Sequence, residues 1–148
     1  MEKSIADQIN SEAVNECQIV TYINQQFNRK QSEPNLYSPL ALAFIGDGIY
    51  DLIIRTIILE QGNAPVNKLH KRVSGLVKAP AQVALYRKIE EHLSEEERSI
   101  YKRGRNAKSY TSAKNASITD YRIATGLEAL FGYLYLSDRF PRIVELVK

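Results

Sequence analysis

The chain has 148 residues, 44% of them hydrophobic and 25% charged, with a formal net charge of +3. That composition excludes a wholly disordered chain, and the length suits one domain that buries roughly two-thirds of its unfolded surface. A single cysteine, Cys17, excludes an intramolecular disulfide and a cysteine-rich zinc site, which fits a reducing cytoplasm.

The opening "MEKSIADQINSEAVNEC" is rich in acids and amides and has no apolar centre, so it does not read as a secretory signal. Residues 4–27 place Ile5, Ile9, Ala13, Cys17, Val20 and Phe27 at helical spacings, which predicts one or two amphipathic helices. "NRKQSEPN" breaks that pattern as a linker. Next, "PLALAFIGDGIYDLIIRTIILEQG", residues 39–62, predicts a long central helix with Pro39 in its first turn and Gly62 as its C-cap. It approaches the length of a membrane span, but Asp47, Asp51 and Arg55 fall near its middle, where insertion is costly, so it reads as a buried helix.

After the turn "APVN", Leu69, Val73, Leu76 and Val77 recur at helical spacing between Asn67 and Lys78. Pro80 ends or kinks that segment before the next helix, "AQVALYRKIEEHL". "SEEERSIYKRG" is the best-marked helix, with Ser94 and Glu97 as a capping box, acids in the first turn, bases in the last, and Gly104 where a C-cap would stand. Residues 105–117 lack periodicity and are rich in Ser, Asn, Lys and Ala, which predicts a loop. A helix from about Thr119 to Leu136 and a last one in "DRFPRIVELVK" complete an all-α chain, a helical bundle around one core.

Two carboxylates stand on apolar ground. Asp47 has no base three or four residues away, and the flanking Gly46 and Gly48 point to close backbone approach. Glu128 shares a face with Ala124, Thr125, Phe131, Gly132 and Tyr135 and is the only charge between Arg122 and Asp138. Two such acids can meet and share a divalent cation such as magnesium, or each can pair with a distant Lys or Arg. Asp51 and Arg55, four apart, suit an ordinary helix ion pair.

The bases are unevenly spread. No acid lies between Glu60 and Glu90, where Lys68, Lys71, Arg72, Lys78, Arg87 and Lys88 fall; a second acid-free window holds Arg98, Lys102, Arg103, Arg105, Lys108 and Lys114. Such windows suit an anionic polymer as partner, or simply solvated helix faces. His70, His92 and Cys17 form no metal or nucleophile pattern.

Read together, "LALAFIGDGIYD" and "TGLEALFGYLYL" resemble the two catalytic segments of the ribonuclease III family, with Asp47 on the signature aspartate and Glu128 on the second glutamate. Leu40 and Ala43 stand where the usual signature has glutamates, and Thr125 where it has an aspartate. This reduced acid set, with "YKRGRNAKS" and "LHKRVSGLVKA", is similar to the Mini-ribonuclease III subfamily. The resemblance spans residues 36–148 and leaves residues 1–35 as an N-terminal extension and linker.

It implies an all-helical endonuclease domain acting as a homodimer on double-stranded RNA with Mg2+. It also implies maturation of the ends of the 23S ribosomal RNA precursor in the cytoplasm, with a large-subunit ribosomal protein as a possible helper and no membrane. Asp47 and Glu128 are then the catalytic and metal-binding acids. Lys102, Arg103, Arg105, Asn106 and Lys108 are expected to contact RNA, as are Lys71, Arg72 and Lys78, because A-form RNA is read mainly through its shape and phosphates. A domain of the same fold that holds structured RNA without cutting it is the competing expectation.

Overall fold

Seven helices follow one another in the computed structural model, which describes residues 18–108 and 117–148. They are α1 (Ile19–Gln26), α2 (Pro39–Glu60), α3 (Val66–Val77), α4 (Ala79–Ile89), α5 (Glu95–Asn106), α6 (Ile118–Leu136) and α7 (Phe140–Val147), with single 3-10 turns at Pro34–Leu36 and Glu90–His92. No strand occurs among the described residues, as the all-α reading expects.

The local signals act where they stand. Ser38 Oγ accepts the Ala41 N–H at 3.1 Å and Pro39 occupies the first turn, so α2 starts at a side-chain cap plus a residue with pre-set φ. Its C-cap is Gln61; Gly62 lies one residue beyond, at φ 142°. At α5 the capping box is complete: Ser94 Oγ accepts from the Glu97 N–H at 3.1 Å, and Glu97 Oε1 accepts from the Ser94 N–H at 2.9 Å.

The buried central helix is α6 rather than α2. Leu127, Ala129, Leu130, Phe131 and Leu134 are wholly buried because α2, α4, α5 and α7 all pack around α6. In contrast α2 is covered mainly by α6 and α3, and Leu40, Phe44 and Leu52 on its other side stay exposed.

Where α2 crosses α6 the backbones touch. A Cβ on Gly46 would lie 1.7 Å from the Glu128 carbonyl oxygen, and one on Gly132 would lie 1.9 Å from that of Leu42. Close approach is therefore the reason for Gly46, whereas a Cβ on Gly48 would meet nothing within 4 Å. Gly104 does not end α5: it lies inside the helix, buried, where a Cβ would come within 2.7 Å of Ala129 Cβ.

Of the N-terminal extension, α1 is described, and residues 1–17 lie outside the described residues. Its start is capped from the far end of the chain. The Val20 and Thr21 N–H groups donate to the Asp138 carboxylate at 2.9 and 3.2 Å, as does the Thr21 hydroxyl, which ties α1 to the turn that follows α6.

Candidate active site

Because Gly46 lies on the backbone of Glu128, the next residue of α2, Asp47, comes to the same crossing from the other helix. Asp47 is exposed at the rim and Glu128 is half-buried, so the aspartate stands at the edge of the apolar ground rather than within it. Burial, and after it the charge of Asp51, raise the Asp47 carboxyl above its ordinary value. Burial first and the Asp47 charge second push Glu128 up to about 7, opposed by the Gln82 side chain. A base facing either acid would have lowered it. The charge that reaches Glu128 is that of Asp47, which raises it.

The neighbouring acid is accounted for locally. Asp51 Oδ2 accepts from Arg55 Nε at 2.7 Å, the ion pair that the spacing predicts. Thr125, at the position where the usual family has an aspartate, is buried and donates its hydroxyl to the Tyr121 carbonyl at 2.9 Å, so it closes its own helix turn.

Gly104 packs on Thr125, Gly126 and Ala129, which brings the basic end of α5 to within about one helical turn of Glu128 along α6. Arg105 and Asn106 belong to that helix, not to a loop: α5 runs to Asn106 and ends at Ala107. The helix continues past Gly104 because that residue is held in the interface with α6, where its missing side chain is needed.

The helical geometry also divides what the sequence presents as one patch. Lys102, Arg103 and Asn106 line a surface hollow on the outer side of α5 with Arg98 and Ser99. Arg105 turns the other way, its guanidinium 5.8 Å from the ring centre of buried Tyr101, which itself stacks on Tyr86. Lys108 is exposed, and residues 109–116 of the anticipated loop lie outside the described residues. On α3, Lys71 and Arg72 are exposed, and so is Lys78 at the α3–α4 junction.

Gln82 is the residue that sequence reading missed. It stabilises the charged form of Glu128 and is almost fully buried, in register with Tyr86 and Ile89 on the inner stripe of α4. The available signal was an amide at an apolar position of a helical period.

The donor set fits a hard divalent cation. Among the described residues no group of three or more His, Cys, Asp or Glu is arranged around a metal position, so the chain offers two carboxylates. Magnesium is commonly held by one or two carboxylates with water and phosphate oxygens filling the rest of its shell. A buried amide oxygen without a hydrogen-bond partner, Oε1 of Gln82, belongs to a side chain that acts on Glu128.

Comparison with known proteins agrees with this geometry. The family model of the ribonuclease III domain matches residues 40–139. A Mini-ribonuclease 3 of Clostridium tetani is 47% identical over 128 residues, 86% of this chain and 83% of that protein. A Mini-ribonuclease 3 of Thermoanaerobacter is 52% identical over 111 residues, 75% and 78% of the two chains. A crystal structure of a Fusobacterium nucleatum protein superimposes with a TM-score of 0.70 at 37% identity, covering 76% of this chain and 89% of that one.

An all-helical fold that matches the ribonuclease III domain over residues 40–139, with Mini-ribonuclease 3 relatives, thus defines an endoribonuclease of the ribonuclease III type. The chain belongs to the ribonuclease III family, within its Mini-ribonuclease III group.

Proposed function

We propose that this protein cleaves double-stranded RNA in a magnesium-dependent reaction at Asp47 and Glu128, as a homodimer, in maturing the ends of the 23S ribosomal RNA precursor. The observation that supports the reading is the glycine crossing of two helices that carry Asp47 and Glu128, where the Asp47 charge raises Glu128. Bound there, magnesium would supply Lewis-acid chemistry to a phosphoryl oxygen and to a nucleophilic water. Asp47 and Glu128 hold the cation by charge, and their mutual repulsion is relieved when it binds.

Phosphate contacts come from the end of α5, through Lys102, Arg103 and Asn106, from Lys108 just beyond it, and from Lys71, Arg72 and Lys78. Arg105 serves the same surface while packing on Tyr101. The exposed apolar residues Leu40, Phe44 and Leu52 of α2, together with Leu36, support a homodimer contact, since Phe44 and Leu36 are each 81% exposed. Residues 36–148 form the catalytic domain and residues 1–35 an N-terminal extension whose helix α1 is tied to Asp138. A large-subunit ribosomal protein is the expected helper on the precursor.

The test is cleavage of a long RNA duplex by wild type and Asp47→Asn, in magnesium and in chelator. Wild type with magnesium is expected to give discrete products. Asp47→Asn should fall to about one-hundredth of that rate or lower while still binding the duplex, because it removes a ligating charge at nearly constant shape. Full activity of the variant would overturn the assignment, and binding without cutting by wild type would favour a non-catalytic RNA module.

A further inference from the structure

Gln82 is only 4% exposed, yet it is a poor choice for a purely structural place. Its Nε2–H donates to the Val77 carbonyl at 3.0 Å, while Oε1 is buried with no hydrogen-bond partner. An unpaired buried acceptor is costly, and an apolar side chain would fill the stripe of α4 without that cost. The carboxamide has a second N–H, and Glu128 is the neighbour whose charged form it favours. One amide is therefore fixed on the α3–α4 junction by its N–H to Val77, favours the charged form of Glu128, and keeps a free acceptor.

We propose that Gln82 is a positioning residue of the cation site: its amide holds the Glu128 carboxylate in its ligating orientation, and Oε1 accepts a hydrogen from a water in the cation's shell. Outer partners of this kind set ligand orientation and typically contribute about 10–100-fold in metal affinity. The inference rests on the reading of Asp47 and Glu128 as metal ligands, and adds to it a residue from a third helix. In a merely structural role, Gln82 would tie Val77 to α4 and leave metal affinity alone.

The experiment is Mn2+ binding to the full chain without RNA, by calorimetry, for wild type, Gln82→Met and Asp47→Asn, with circular dichroism to establish folding. Gln82→Met is expected to bind Mn2+ about 10-fold more weakly than wild type, and its magnesium requirement for duplex cleavage should rise by a similar factor. A variant that melts earlier but binds Mn2+ as wild type does would overturn the proposal. So that folding of the variant does not decide the matter, the Gln82 side-chain amide resonances of wild type are followed on adding magnesium. They should shift and saturate in step with binding and stay still in Asp47→Asn; no shift at a magnesium concentration that saturates calorimetric binding would also overturn the proposal. If wild type binds no divalent cation, or Asp47→Asn binds it equally well, the metal-site reading itself fails, an outcome distinct from failure at Gln82 alone.

Discussion

Two ends of the bundle treat the same chemical group in opposite ways. Where α5 begins against α7, Glu97 is 3% exposed, but its two oxygens accept from Arg142 Nε and Nη2 at 2.8 and 2.9 Å. Glu96 accepts from Arg139 Nη2 at 2.8 Å and from the Tyr133 hydroxyl. The hydrogen bond from Arg142 holds Glu97 below the usual carboxylate range, and that from Arg139 does the same for Glu96. At the α2–α6 crossing, no base among the described residues pairs with Asp47 or Glu128, and both are raised. The first pattern is how a fold tolerates buried acids. The second leaves repulsion unrelieved, an arrangement suited to taking up a cation or a proton.

The sharpest way to break this contrast is to separate the helices at the active crossing. Gly46→Ala places a methyl 1.7 Å from the Glu128 carbonyl oxygen, against backbone that cannot turn aside. It should cost about 4 kcal/mol or more, read as an early urea midpoint, and cleavage should be lost with it. Gly48→Ala, facing open space, should be stable by the same measurement.

At the compensated end, Arg142→Met leaves Glu97 buried without its cation. A fully buried pair broken this way costs about 3–5 kcal/mol. Because the Arg142 side chain is 25% exposed, solvent screening reduces the expectation to about 2 kcal/mol in urea unfolding. Arg55→Met, at the exposed Asp51 pair, should change stability by less than about 0.5 kcal/mol.

The last effect has the opposite sign. Glu128 binds its proton more tightly folded, at about 7, than at its ordinary 4.5, so metal-free wild type loses stability as pH rises from the lower value through the higher. Glu128→Gln carries no charge and should exceed wild type by about 2 kcal/mol at pH 8, converging with it in acid. Millimolar magnesium should remove or reverse the advantage, since it stabilises only the carboxylate form. Thermal unfolding across pH, with and without magnesium, measures both.

Much of this was legible along the chain because its causes act over one helical turn. The capping box at Ser94, Pro39 at the start of α2 and the Asp51–Arg55 pair are contacts three or four residues long, and each stands where spacing puts it. Asp47 and Glu128 stood out as charges on apolar faces, and the family resemblance joined them. Gly104 was misread for the same reason that Ser94 was read well: a local C-cap signal was available, while its real partner, Ala129, lies on another helix.

The sequence by itself thus determined the helices, their ends and the short list of acids that needed an explanation. Only the tertiary structure decided which of those acids are neutralised. Arg142 reaches Glu97 from 45 residues away, and the side chain of Gln82, on α4, favours the charged form of Glu128. Likewise, Gly46 rather than Gly48 meets the backbone of α6, because the crossing of two rigid helices selects one turn of each for contact. Helical periodicity specifies a face, but it carries no information about which other face will arrive against it.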